Sequence, residues 1–212
     1  MAQIEHAPFC LDSLADYVED GDDFWGDSLD ARWDASGSAG GSIVVVDGVD
    51  GGVIRVTAPA GEGNSCTLNW KVVRSLHVNK RLIIEFRARL VQTTTTQVRL
   101  SARRDSSNRM NFYYNVNIDA FWHIVNTNND SSTDLATLNA VDTDWHTFRI
   151  ECSPTEIHYY IDGVECSNSP ITTDIPADAA DYLEPHVWVS TRSSVEDKSL
   201  DIDYIWWRQE RQ

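Results

Sequence analysis

The stretch that decides the fold is WHTFRIECSPTEIHYYIDGVEC, residues 145–166, where hydrophobic and polar residues alternate. In residues 148–152, and again in residues 157–161, every second residue is hydrophobic, which is the pattern of a strand with one buried face. Asp162 and Gly163 tolerate positive φ, so a tight turn there lets a third strand begin at Val164. The stretch therefore predicts an antiparallel meander that packs one face on another sheet.

Three motifs, in this order, resemble concanavalin A-like lectin/glucanase domains. DDFWGDSLDARWDASG at residues 22–37 is similar to the opening of those domains, the WH-x-F-x-I-E and IDGV runs to their central meander, and SLDIDYIWW at residues 199–207 to their closing strand. The resemblance covers residues 22–208. It implies an all-β, two-sheet antiparallel jelly-roll sandwich, a fold that hosts many functions and by itself implies no single activity.

Length and composition agree with one large β domain. The chain has 212 residues, 42% of them hydrophobic, which is enough to bury a sizeable core. Its hydrophobic residues come in short alternating runs separated by clusters of Gly, Asn, Asp, Ser or Thr, with hardly any segment at helical period. We predict a sandwich over residues 22–212, preceded by an acidic N-terminal arm over residues 1–21.

The N-terminal arm differs in character from the rest. Residues 1–30 hold nine acidic residues and no lysine or arginine. Leu11, Leu14, Tyr17 and Val18 recur at helix-like spacing, which predicts a short amphipathic helix over residues 11–19. Two interpretations stay open: a tail that folds back on the sandwich, or an arm that attaches to a partner through these four residues.

Basic residues are concentrated in one segment of a chain whose net charge is −16. Residues 71–109 contain ten of the seventeen lysines and arginines and only two acidic residues. Period-two alternation places the arginines of two successive predicted strands on one side. Polar and aromatic residues of the next two strands fall on the same side. His123 is among them if Trp122 points inward. The predicted ligand face consists of Arg87, Arg89, Arg99, Arg103, Tyr113, Asn115 and His123.

This predicted face has three interpretations. Arginine forks bind carboxylates bidentately and aromatic rings stack on sugars, so it suits an acidic or hydroxyl-rich glycan. The interpretation that the sequence favours is an ordinary solvated sheet face with cross-strand ion pairs, because exposed charges usually bind nothing specific. The third interpretation is that the acidic arm of a neighbouring copy lies on it in a homo-oligomer.

The sequence lacks the carboxylate pattern that glucanases of the resembled fold use for catalysis. The resemblance implies that glucanases of this fold carry E-x-D-x-(x)-E on one strand, so that two carboxylates act on one face. No stretch of this chain has the pattern, and we predict a protein that is not an enzyme. A polysaccharide lyase is the minor alternative, with Arg99, Arg103, Tyr113 and His123 around a uronate carboxylate.

Metal sites and thiols are few. The histidines have no metal-type spacing. The resemblance implies one structural calcium near Asp23, Gly52 and Asp203, because hard oxygen ligands suit that ion. The alternative is that Asp203 caps a loop or faces water. No other cofactor is predicted. The cysteines are expected to be buried free thiols, and the one pairing to check is Cys152 with Cys166.

The expected location and partners of the protein are predicted from patterns that the sequence lacks and from a second resemblance. The chain has no hydrophobic run long enough for a bilayer, its start lacks a signal-peptide pattern, and its pI near 4.5 disfavours nucleic acid. From RLIIEFRARLVQ to SLDIDYIWWRQ it resembles concanavalin A-like domains of bacteriophage virion proteins. This implies a capsid decoration, fibre or tail protein on the virion surface after folding in the host cytoplasm. The expected partners are other virion proteins, copies of itself and a host-surface glycan; the alternative is a carbohydrate-binding module.

Overall fold

The computed structural model describes residues 16–46, 52–71, 76–176, 182–193 and 195–211. Within them no helix has the length and apolar character needed to cross a membrane. The strands are β1 (Tyr17–Asp22), β2 (Trp33–Gly37), β3 (Ser42–Val45), β4 (Ile54–Ala58), β5 (Ser65–Trp70), β6 (Ile83–Leu90), β7 (Thr96–Arg103), β8 (Asn108–Asn115), β9 (Phe121–Asn128), β10 (Ser131–Ala140), β11 (His146–Cys152), β12 (Ile157–Ile161), β13 (Val164–Glu165), β14 (Glu184–Thr191) and β15 (Lys198–Glu210).

These strands form two antiparallel sheets. Sheet A has the order β13-β12-β11-β6-β15-β4-β3, and β1 also pairs with β15. Sheet B has the order β10-β9-β8-β7-β14-β5-β2. The predicted all-β, two-sheet jelly-roll sandwich is confirmed, and the stretch at residues 145–166 forms the meander β11 to β13 at one end of sheet A.

Aromatic side chains join the two sheets. The Phe112 ring on β8 meets Phe148 on β11 and Tyr159 on β12 edge-on, with centroids 5.2 and 5.3 Å away. Trp122 on β9 also meets Phe148, at 4.7 Å. Edge-to-face pairs add about 0.5–1.5 kcal/mol each beyond the area they bury. The core is thus the space that alternation predicts, between the inner faces of the sheets.

The N-terminal segment forms a strand where a helix was predicted. β1 pairs with the second half of β15, from Tyr17 opposite Glu210 to Asp22 opposite Ile205. The predicted helix over residues 11–19 is therefore wrong for Tyr17 and Val18, because hydrogen bonds to β15 override a short helical spacing. The boundary drawn between residues 21 and 22 falls inside β1. Leu11 and Leu14 lie outside the described residues, so attachment through the arm stays a prediction.

The described cysteines are buried free thiols, as predicted. Cys66, Cys152 and Cys166 are all unpaired, so Cys152 and Cys166 do not bond to each other. Burial raises the pKa of the Cys166 thiol to about 12, and buried, protonated thiols are inert. Cys10 lies outside the described residues.

Candidate functional site

The predicted arginine face is divided between the two sides of the sandwich. β6, with Arg87 and Arg89, lies in sheet A, whereas β7, with Arg99 and Arg103, lies in sheet B. The outer faces of the two sheets point in opposite directions, so the prediction of a single striped face is wrong. Alternation shows which side of a strand a residue takes, and it carries no information on which sheet the strand joins.

The sheet A arginines are paired with carboxylates. Arg89 lies 3.0 Å from Asp201, which also accepts a hydrogen bond from Arg55 at 2.7 Å. Arg87 is paired with Asp203. The Trp145 ring lies over both Arg87 and Arg89, with centroid distances of 5.1 and 4.8 Å. This is the cross-strand pairing that an ordinary solvated sheet face provides.

The predicted calcium positions meet at an irregularity in β15. β4 pairs with β15 up to Ile202 and β1 pairs with it from Ile205, so Asp203 lies between them. A Cβ added to Gly52 would lie 2.5 Å from the backbone oxygen of Asp23, so these segments touch. The Asp203 carboxylate, however, is occupied by its arginine partner, and no group of three His, Cys, Asp or Glu in the described ranges is placed to hold a metal. The calcium stays a prediction.

The outer face of sheet B carries a different kind of cluster, which we call the B face. Three cross-strand rows on β8, β7 and β14 define it: Tyr113–Arg99–Trp188, Asn111–Ser101–His186 and Arg109–Arg103–Glu184. Neighbours in a row are ~5 Å apart at Cβ, and successive rows are ~7 Å apart along the strands. Nine side chains thus form a compact patch at the centre of the sheet.

The first row places a guanidinium between two aromatic rings. The Arg99 guanidinium lies 5.0 Å from the Tyr113 ring centroid and 4.7 Å from that of Trp188. Among the described residues, no carboxylate forms an ion pair with it. The Tyr113 hydroxyl oxygen accepts hydrogen bonds from Gln97 Nε2 at 3.2 Å and from Asn115 Nδ2 at 2.9 Å. The Tyr113 hydroxyl oxygen is thus held in place by two side-chain amides.

The second row is a buried floor whose polar groups are unsatisfied. Asn111, Ser101 and His186 are at most 1% exposed. Within the described part of the chain, the Asn111 amide, the Ser101 hydroxyl and both His186 ring nitrogens have no hydrogen-bond partner on another residue. Such groups are rare in folded proteins, and each costs about 1–3 kcal/mol. Three adjacent residues with such unsatisfied groups need an explanation other than packing.

Arginines surround this floor. Burial, followed by the positive charges of Arg103, Arg99 and Arg109, holds the pKa of His186 well below its usual value, so its ring is neutral at neutral pH. Burial and the charge of Arg99 likewise lower the pKa of Arg109. Arg103 donates a hydrogen bond to Asn69 Oδ1 at 3.2 Å. The B face is therefore locally positive on a strongly acidic protein.

His123 lies next to this cluster but is bound to carboxylates. Of the two orientations that the sequence left open, His123 has the outward one, and it stands opposite Tyr113 in the register of β8 and β9. Its ring nitrogens lie 2.6 Å from Asp134 and 3.1 Å from Asp119. The histidine among the arginines is His186, which the sequence analysis missed. The alternation in HVWVST at residues 186–191, which turns His186 and Trp188 to one side, was the available signal.

A second histidine forms a pH-sensitive cluster beside a cavity of about 370 Å³. His146 Nδ1 lies 2.6 Å from Asp162 and Nε2 lies 2.9 Å from Asp142. Burial lowers the pKa of His146, but the bonds and charges of the two aspartates outweigh it, so the pKa is raised above its ordinary value of 6.5. The stabilisation is therefore complete below the unfolded pKa and is lost as pH rises through the folded pKa.

Replacing Asp142 by asparagine is expected to lower the pKa of His146 and to reduce the free energy of unfolding by about 0.5–1 kcal/mol at mildly acidic pH, with little effect at pH well above the folded value. NMR titration of the His146 ring and urea unfolding at both pH values measure this. Asp144→Asn is the control, because its side chain makes no ion pair with His146. A loss of stability that is the same at both pH values contradicts the prediction.

The protein is a two-sheet antiparallel jelly-roll sandwich with a positive, aromatic patch on its seven-stranded sheet. Solved structures with this fold include a β-1,3-glucanase from Mycobacterium marinum, at TM-score 0.68 and 12% identity over 88% of this chain and 97% of that one. A β-1,3-1,4-glucanase (lichenase) from a mouse hindgut metagenome has TM-score 0.64 and 11% identity over 89% and 98%. An endo-acting O-glycanase of the human gut microbiota that initiates mucin breakdown has TM-score 0.66 and 12% identity over 91% and 98%. No protein-family description and no curated protein matches the sequence.

These comparisons correct one prediction. The chain was expected not to be an enzyme because the two-glutamate pattern is missing, and this expectation is contradicted, since the similar structures are named for enzymes that cleave glycans. A missing motif of one mechanism does not exclude another mechanism on the same fold. The virion role, the virion partners and the location stay predictions.

Proposed function

We propose that this protein is a polysaccharide-active enzyme and that its glycan lies across β8, β7 and β14 on the B face. The observation that carries the proposal is the row Tyr113–Arg99–Trp188 at the centre of sheet B. Aromatic rings offer flat apolar surfaces for sugar rings, and a guanidinium held between two rings keeps its donors in a fixed direction. The fold shared with glucanases and an O-glycanase supports the same assignment.

The depth of the patch also supports it. Carbohydrate sites combine aromatic surfaces with a few fixed polar groups that select the ligand. Here the rings of Tyr113 and Trp188 stand beside a floor of amide, hydroxyl and imidazole groups whose hydrogen-bonding capacity the described protein leaves unused. Because these groups are buried beneath the patch, a sugar hydroxyl or carboxylate reaches them only when the overlying side chains move aside.

Replacing Trp188 by alanine is expected to weaken binding of the cognate polysaccharide about tenfold, because one of the two stacking surfaces is removed. Affinity electrophoresis and calorimetry against a panel of neutral and acidic polysaccharides measure binding, and release of reducing ends measures cleavage. The matched control is Trp145→Ala, which removes a tryptophan stacked over Arg87 and Arg89 on the opposite sheet. The proposal fails if the two variants bind alike, or if no polysaccharide in the panel is bound and cleaved.

A further inference from the structure

We infer that the glycan is acidic and that the B face cleaves it by elimination at a uronate unit, with Arg99, Arg103 and Arg109 around its carboxylate and Tyr113 as the proton-transferring group. This inference rests on the proposed function. It goes beyond it in naming the substrate class and the reaction.

The charge of the substrate follows from the surroundings of the floor. Arg103 and Arg109 are cross-strand partners, and Arg99 lies on the same face of β7, so the three side chains lie near one another. Like charges in a partly buried cluster repel, and burial already lowers the pKa of Arg109. An anion between them relieves this repulsion, and a carboxylate matches the fork geometry of arginine.

The unpaired floor supplies the remaining contacts. The Asn111 amide nitrogen and the Ser101 hydroxyl are donors without partners, and both lie one row from Arg99 along the strands. A carboxylate has two oxygens and about four acceptor sites, so it can accept from arginines and floor donors together. The neutral ring of His186 adds one more donor without adding charge.

Hydrolysis by paired carboxylates does not fit this arrangement. A glycosidase of the usual kind needs two carboxyl groups on either side of the bond. Of the nine residues of the B face, Glu184 is the one carboxylate, and it stands opposite Arg103. Asp34 and Asp134 lie in the same cross-strand row as Asn111 and His186, but on the edge strands β2 and β10, with another strand between each of them and the cluster.

Elimination needs groups that the B face provides. When the uronate carboxylate is neutralised by arginine, the adjacent C5–H bond becomes acidic. The Tyr113 oxygen accepts hydrogen bonds from Gln97 and Asn115 and lies beside Arg99. In its phenolate form it removes the C5 proton. The C5–H electron pair forms the C4=C5 double bond, and the bond from C4 to the linking oxygen breaks. The linking oxygen takes from Tyr113 the proton that left C5, which restores the phenolate. No water, oxidant or metal takes part, and atoms and charge balance.

The decisive experiment incubates the full chain with polygalacturonate, alginate, glucuronan and a neutral β-1,3-1,4-glucan. Reducing ends report any cleavage, and ultraviolet absorbance of the unsaturated uronate reports elimination alone. Reducing ends with matching absorbance from a polyuronate support the inference. Cleavage of any of the four polysaccharides without this absorbance overturns the inference and leaves the proposed function standing. Polyuronate binding without cleavage overturns the elimination step, and the absence of both binding and cleavage overturns the proposed function as well.

Tyr113→Phe tests the residue assignment. It is expected to lower kcat on the polyuronate at least about 100-fold, with the dissociation constant nearly unchanged, because the ring still stacks while proton transfer is lost. Tyr204→Phe is the matched control, since Tyr204 donates to Glu85 on the outer face of sheet A. Circular dichroism and thermal unfolding establish that both variants fold. Unchanged absorbance kinetics in Tyr113→Phe, or an equal loss in Tyr204→Phe, overturns the role of Tyr113.

Discussion

Replacing Asn111 by leucine is expected to make the protein more stable while it loses its acidic ligand. The Asn111 side chain is 1% exposed, and neither amide atom has a hydrogen-bond partner in the described structure. A leucine has the same branched shape, although it is larger, and it removes two unsatisfied polar atoms, so the free energy of unfolding should rise by about 1–3 kcal/mol. Loss of a charge-assisted hydrogen bond should weaken polyuronate binding about 10–100-fold.

Urea unfolding and calorimetric titration measure the two effects on one preparation. Asn69→Leu is the matched control, because the Asn69 amide accepts from Arg103 at 3.2 Å and donates to Ser36 Oγ at 3.3 Å. That substitution should lower stability. If Asn111→Leu is also less stable than the wild type, the amide contributes to the fold and the floor is not reserved for a ligand.

Replacing Asp201 by alanine is expected to lower the free energy of unfolding by about 3 kcal/mol, the largest loss that we predict for a polar residue. The Asp201 carboxylate is 1% exposed and holds two guanidinium groups, bidentate with Arg55 at 2.7 and 3.0 Å and with Arg89 at 3.0 Å. Its removal leaves both arginines without their shared partner beside the closing strand. Denaturant unfolding gives the change in free energy.

Asp203→Ala provides the comparison on the same strand. Asp203 pairs with Arg87 alone, and its carboxylate is 19% exposed, so solvent screens the pair and we expect a loss of about 1 kcal/mol or less. Polysaccharide binding should be unchanged in both variants, because they lie on sheet A. Equal losses of stability in the two variants would mean that burial of the Asp201 carboxylate contributes nothing.

Local alternation was sufficient to predict the sandwich. The meander at residues 145–166 and the closing strand each have one hydrophobic face, and a turn residue with positive φ, Asp162, stands where the hairpin needs it. The helix expected at Tyr17 and Val18 failed because pairing with β15, nearly two hundred residues later in the chain, decides the local structure. A short helical spacing is weak compared with a complete ladder of strand hydrogen bonds.

The site was predicted in part. Arg99, Arg103 and Tyr113 do lie together, because β7 and β8 are neighbours in sequence and form a hairpin. Arg87 and Arg89 were assigned wrongly because the chain crosses between the sheets after β6. His186 and Trp188 were missed because β14 pairs with β7, which lies more than eighty residues earlier, and no local pattern encodes that register.

The position of β14 and β15 has a consequence for biosynthesis. Although they follow all other strands in the chain, β14 lies between β7 and β5, and β15 lies between β6 and β4. Sheet B is not continuous until the ribosome has released β14, and sheet A is not continuous until it has released β15. Before then the nascent chain exposes unpaired strand edges of the kind that aggregate. The B face needs Trp188 and His186, so it cannot form before β14 has been synthesised. A premature stop upstream of β14 therefore yields a chain without a site rather than one with a weakened site.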